Sequence, residues 1–284
     1  MEFLRPQTWE DALAAKAEHP DAVPIAGGTD VMIELNFDKR RPGALLDLTR
    51  IAELAGWGSD SGQVRIGATV TYAQVIEHLG WAMPGLAMAS RTVGSPQIRN
   101  RGTIAGNLGA ASPAGDAHPP LLATDAAVEV ASVRGVRTIP VREFFVGVKR
   151  NALAPDELIR AVLVEPVRGP QQFAKIGTRN AMVIAVCSFG LALDRVRQTV
   201  GTGIGSAAPT PRRAPEAEEL LARELPWSSG RKLGAGLVAE FGQLVAAAAD
   251  PIDDVRGSAA YRRHALDVLA RRTLSWAWAQ YLRE

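Results

Sequence analysis

Three features of the 284-residue chain predict a fold of mixed strands and helices in about two domains. Up to about residue 165, short strand-like segments alternate with capped helical ones. Past the proline-bounded stretch Pro166-Val167-Arg168-Gly169-Pro170, strand-like runs come first and helical runs follow. Two glycine-rich segments, 26–30 and 97–116, interrupt the first part and carry the residue types that suit a bound anion.

Thr8 is placed to cap a helix over 9–17, with Asp11 at the capping-box position. A short apolar strand over 22–26 runs into Gly27-Gly28-Thr29-Asp30, and a helix starts at Val31. Strand, paired glycine, hydroxyl and helix is the order that sets backbone N–H groups against a phosphate. The segment lacks the third glycine of the dinucleotide fingerprint, so alone it also reads as a tight strand-to-helix turn. Strands follow over 44–48 and 63–67. Thr71 with Gln74 makes a second capping box for a helix over 72–79, and Pro84 opens another to about Thr92.

The long segment Gln97 to Asp116 is read as a loop. It holds Gly102, Gly106, Gly109 and Gly115, the polar side chains of Thr103, Asn107 and Ser112, and the carboxylate of Asp116, with no cation between Thr103 and Asp116. Glycines allow positive φ and close backbone approach, so several N–H groups can converge on one anion. A short helix over 121–123, a hairpin of 126–131 with 136–139 turned at Arg134-Gly135, and a strand over 159–164 complete the first part. The second has strands over 173–176, 184–193 and 196–204, then helices over 214–225, 231–249 and 259–282.

Composition excludes several function classes. Lys and Arg total 32 against 30 Asp and Glu, leaving no field to steer nucleic acid. A single cysteine, Cys187, rules out an internal disulfide and any all-cysteine cluster within the chain. The four histidines show no metal spacing, and no apolar run approaches the roughly 20 residues of a membrane span. A soluble protein of the reducing cytoplasm is expected, with any redox metal on another chain. No catalytic triad, Cys/His pair or carboxylate pair can be assembled. Gly201-Thr202-Gly203-Ile204-Gly205 precedes prolines rather than a helix, so it reads as a strand end. Cys187 reads as a small buried hydrophobe, and Trp276 and Trp278 as packing. In 253–263, Asp253 or Asp254 can cap, Ser258 can start a helix, and the arginines can pair.

Taken together, the two glycine loops 26–30 and 102–116, neither with a cation inside it, describe a clamp for an extended dinucleotide, with Asp116 accepting from a sugar or ribityl hydroxyl. The residues of this clamp are similar to those of a known family. Ala26-Gly27-Gly28-Thr29-Asp30, 97–107, Ser112-Pro113-Ala114-Gly115-Asp116 and 254–263 resemble the flavin-binding subunits of the molybdenum hydroxylases, the xanthine dehydrogenase and aerobic carbon monoxide dehydrogenase type. The resemblance covers essentially the whole chain.

It implies a two-subdomain FAD-binding fold of the vanillyl-alcohol-oxidase type over 1–168 (subdomains about 1–55 and 56–168), with a C-terminal α+β domain over 169–284. It implies FAD in this chain, held by Ala26, Gly27, Gly28, Thr29, Asp30, Thr103, Ile104, Ala105, Gly106, Asn107 and Asp116. Lys175 matches a lysine near the flavin ring, where a cation would favour the reduced anion, and Ile159 a backbone contact. No catalytic residue and no metal ligand is implied here. Molybdopterin and 2Fe–2S clusters are implied in a large and a small partner subunit, assembled as a dimer of heterotrimers that passes electrons to an acceptor. Ala105 stands where a glycine is common, and Val183 where aspartate is. The intact loops argue against a flavin-free assembly module. The 254–263 segment argues against a stand-alone flavin reductase of the cell-wall precursor type.

Overall fold

The computed structural model describes residues 1–60 and 62–283. Strands β1 (Glu2–Leu4), β2 (Val23–Ile25) and β3 (Ala44–Asp47) make a small parallel sheet in the order β1-β3-β2. Helix α1 (Trp9–Glu18) joins the first two strands, and Thr8 Oγ1 accepts from the Asp11 amide at its start. Helix α2 (Val31–Asn36) follows β2 directly after the paired glycines.

The next lobe is an antiparallel sheet. Strands β4 (Trp57–Asp60), β5 (Gln63–Gly67), β6 (Ala127–Ser132), β7 (Gly135–Pro140) and β10 (Leu158–Val164) pair in the order β4-β5-β10-β6-β7. The β6–β7 turn is Val133-Arg134, because Ser132 pairs with Gly135, so Gly135 belongs to the strand and not to the turn expected for it. Strands β8 (Phe145–Gly147) and β9 (Arg150–Asn151) form a separate hairpin. Helix α3 (Tyr72–His78) carries the complete Thr71/Gln74 capping box, and α4 (Pro84–Thr92) starts on its proline.

The 97–116 stretch is more ordered than a loop. It contains most of α5 (Pro96–Arg99) and all of α6 (Ile104–Ala110), with Thr103 capping the latter. Glycines at 106 and 109 lowered its apparent helicity, and the cap overrides them. Helix α7 (His118–Ala123) begins at the histidine itself, with prolines in its first turn. A single-turn helix, α8 (Val141–Phe144), precedes β8.

Strands β11 (Gln171–Ile176), β12 (Cys187–Asp194) and β13 (Thr199–Gly205) form the last sheet, antiparallel throughout. Helices α9 (Pro215–Glu224), α10 (Ala235–Ala247) and α11 (Ala259–Tyr281) complete the chain. The core falls into two clusters, one drawn from residues 9–164 and one from 187–281. Every residue of β12 is buried, because α11 packs against the strand and α7 and α4 also contact it. That is why Cys187 sits in a mainly apolar strand, with Ser188 and Asp194 buried in it as well. Trp278 stacks on Tyr281 at 4.6 Å, whereas Trp276 is half-exposed and not the packing residue expected.

The glycines of 201–205 have a structural use. A Cβ on Gly203 would lie 2.1 Å from Pro119 O, and one on Gly201 would lie 1.9 Å from Ala123 O. Their absence lets the backbone of α7 rest directly on β13. Gly203→Ala must therefore push a helix backbone away. We expect it to destabilise the chain by about 3 kcal/mol, the upper end of ordinary overpacking. Calorimetric melting should show a drop of roughly 6–12 °C, and an unchanged melting temperature would contradict this packing.

Candidate functional site

Two chain segments cross backbone to backbone at the centre of the first part. At Gly27 a Cβ would lie 1.9 Å from Arg101 O and 2.9 Å from Gly102 Cα. Gly28, with φ +77°, takes the left-handed conformation that turns the chain into α2. The far side of the crossing is held by an antiparallel bridge of Thr71 with Thr103 and by the Tyr72 amide donating to Gly102 O at 3.0 Å. Thr103 Oγ1 then accepts from the Gly106 amide at 2.9 Å and starts α6. Ala105 and Gly106 both lie inside that helix without positive φ, so an alanine at 105 is admissible.

Segment 26–30, with Thr103, Ala105, Gly106 and Asn107 of the second segment, lines one cavity of about 770 Å³, within the range of small-molecule sites. Asp116 and Ile159 line it too. Ile104 does not; its side chain is in the core. Lys175 stands behind Asp116 and lines a second cavity of about 510 Å³, which shares Gly94, Met182 and Val183 with the first.

Among the described residues, the amides of Gly27, Gly28, Thr29, Asp30 and Ala105 donate to no protein acceptor. Burial raises the Asp30 carboxyl above its usual range, with Lys149 pulling the other way. Asn107 Oδ1 accepts from the Ala117 amide at 3.4 Å, so this side chain also braces the second segment.

Behind the cavity, Lys175 Nζ donates to Asp116 Oδ2 at 2.6 Å, to Thr92 O at 3.0 Å and to Val183 O at 3.2 Å. All three ammonium protons are thereby engaged. Burial raises the Asp116 carboxyl and the lysine opposes that rise. Asp116 Oδ1 has no partner, and neither has the hydroxyl of Tyr72, a residue that the sequence presented only as the start of a helix. No pattern in the sequence marks Tyr72, because only the fold brings it to this cavity.

His118 supports the second segment from below. Its Nε2 lies 3.1 Å from Asn107 O, its ring meets Phe145 at 4.5 Å between centroids, and a Cβ on Gly115 would strike the ring at 2.2 Å. Burial lowers its pKa to about 4, so it is neutral at pH 7. Burial likewise pushes the Cys187 thiol up to about 12, which leaves it unreactive. Among the described residues no group of His, Cys, Asp or Glu could hold a metal ion, and no helix is long and apolar enough to cross a membrane.

Unpaired amides, a carboxylate oxygen without a donor and a buried phenol suit an elongated ligand with an anionic centre and hydroxyl groups. A flavin dinucleotide has that character, and the residues fit it.

Comparison with known proteins agrees. Residues 1–166 match the family described as the FAD binding domain in molybdopterin dehydrogenase, and residues 172–277 match the CO dehydrogenase flavoprotein C-terminal domain. The chain is 36% identical to the nicotinate dehydrogenase FAD-subunit of Eubacterium barkeri over 68% of each chain. It is 32% identical to the xanthine dehydrogenase FAD-binding subunit of Escherichia coli O157:H7, covering 98% of this chain and 96% of that one. A solved Cu,Mo-CO dehydrogenase chain superposes with a TM-score of 0.90 at 27% identity, covering 99% and 98%.

The buried neutral His118 makes the site pH-sensitive. Its folded pKa lies below its unfolded value, so between the two only the unfolded chain takes the proton. The stabilisation is complete above about pH 6.5 and is lost as pH falls toward 4. A shift of this size corresponds to about 3 kcal/mol. Urea unfolding of the wild type should weaken by about that amount over this interval, and His118→Gln should flatten the dependence. Equal slopes in the two proteins would contradict it.

Proposed function

The chain belongs to the FAD-binding subunits of the molybdopterin dehydrogenases, and on that premise we propose that it is the electron outlet of such an enzyme. Electrons would come from a molybdopterin-bearing large subunit through a 2Fe–2S small subunit and leave to an external acceptor. The chain is an FAD-binding oxidoreductase subunit, and relatives matched over nearly their whole length are named medium chains of dehydrogenases. The observation that carries the proposal is the glycine crossing, with its unpaired amides on one cavity.

Bound FAD supplies a reversible acceptor of an electron pair. The protein's part is to hold it. The amides of Gly27, Gly28, Thr29, Asp30 and Ala105 would donate to the diphosphate, where charge-assisted hydrogen bonds replace a lysine. Thr103, Gly106 and Asn107 set that backbone. Ile104 and Ile159 would contribute main chain. Asp116 Oδ1 would accept from a cofactor hydroxyl, while Lys175 holds the other oxygen of the same carboxylate. The lysine's charge is thus largely balanced by Asp116, and its effect on the flavin would come mainly through position.

On this reading substrate oxidation takes place on another subunit, and this chain's residues hold the cofactor. We further propose the division into residues 1–168, with subdomains about 1–55 and 56–168, and 169–284. Assembly as a dimer of heterotrimers in the cytoplasm completes the reading.

Three results test it. The purified chain should carry one FAD, freed by acid precipitation. Gly28→Val should lose it, since a β-branched residue is strained at φ +77°. The isolated chain should oxidise no aldehyde or purine, and should co-purify with two further subunits when their genes are co-expressed. Full FAD content in Gly28→Val would overturn the site, and substrate turnover by the chain alone would overturn the role.

A further inference from the structure

Tyr72 is 3% exposed, yet its hydroxyl has no hydrogen-bond partner. Asp116, 8% exposed, keeps one carboxylate oxygen without a donor, although the other is bound by Lys175 and Thr92. Both residues line the larger cavity. Each lies within the other's electrostatic reach, since the Asp116 charge, after burial, helps to hold the Tyr72 phenol well above its ordinary range. The phenol is therefore a neutral donor and Oδ1 an acceptor, both buried without partners on residues that line one cavity.

The fold holds Tyr72 firmly. Its amide is bonded to Gly102 O, and its ring packs so closely on that glycine that a Cβ there would lie 3.2 Å from Tyr72 Cδ2. Residue 72 is also the first of a helix with a complete capping box. A side chain this constrained, with an unpaired polar end, would be better replaced by phenylalanine unless a ligand uses the hydroxyl.

The structure assigns Tyr72 to the cofactor site: we propose that its hydroxyl and Asp116 Oδ1 together take one hydroxyl group of the bound dinucleotide. This rests on the reading of the cavity as the FAD site. The chemistry of the pair selects the group. Phosphate oxygens only accept and would face the Asp116 charge. A sugar hydroxyl accepts from Tyr72 and donates to Asp116 at once, satisfying both atoms. The hydroxyl belongs either to the ribityl chain or to the adenosine ribose.

The test uses the full chain stripped of FAD, with FAD and a set of deoxy-FAD analogues, each lacking one ribityl or ribose hydroxyl. Tyr72→Phe should weaken FAD binding about tenfold, the scale of one hydrogen bond. For one analogue the difference between wild type and Tyr72→Phe should vanish, and that analogue tells ribityl from ribose. The cofactor-free variant should melt no lower than wild type, which a merely structural tyrosine would not allow. Unchanged FAD affinity, the same loss with every analogue, or a lowered melting temperature each overturns the assignment. Asp116→Ala and Gly28→Val separate the two levels. If both keep full FAD affinity, the cavity is not the FAD site and the proposal falls with it. If they lose affinity while Tyr72→Phe does not, only the Tyr72 assignment falls.

Discussion

The crossing of two backbones at Gly27 and Gly102 is the constraint on which the rest of the first part depends. The turn after β2 and the turn before α6 meet there at a separation that no side chain at 27 would permit. Because the segments touch through main chain, α2 and α6 begin on either side of the contact. First-turn amides have no intrahelical acceptor, so the crossing leaves donors without acceptors, while the cations that line the cavity, Lys149 among them, come from other segments.

The C-terminal part closes the site from behind. Strand β11 brings Lys175 to Asp116, and the glycines of β13 let α7 sit close enough to hold Asp116 in reach. A buried ion pair adds little net stability, because desolvation offsets attraction, but removing one partner strands the other charge. The pair therefore acts mainly to fix position. Arg262 performs a similar service further out. Its buried guanidinium donates to Val186 O and Ser206 O and pairs with Asp254, so the turn before α11 is tied to the strands beneath.

Much of this was legible in the sequence where local chemistry is strong. The Thr8, Thr71 and Ser258 caps and the paired-glycine turn form as expected, whereas the strands expected over 184–193 and 196–204 start only at Cys187 and Thr199. The 97–116 stretch reads as a loop because glycines at 106 and 109 mask a helix that Thr103 initiates. The glycines of 201–205 looked like a strand end; their purpose, contact with a helix some eighty residues earlier, is a tertiary fact. Tyr72 and the Lys175–Asp116 geometry were out of reach for the same reason. Lys175 carried a position in the family resemblance, but nothing local shows that all its protons are engaged. Trp276 shows the converse, since a tryptophan beside a buried one suggests packing and the helix turns it outward.

The central proposal is that backbone amides of the two glycine segments hold the diphosphate of the cofactor. Amide hydrogen exchange of the full chain, with and without FAD, tests it most directly. Binding should slow exchange at Gly27, Gly28, Thr29, Asp30 and Ala105 by about tenfold or more, leaving the exposed Val133-Arg134 turn unchanged. Saturation with FAD and no added protection at those five amides would contradict the account.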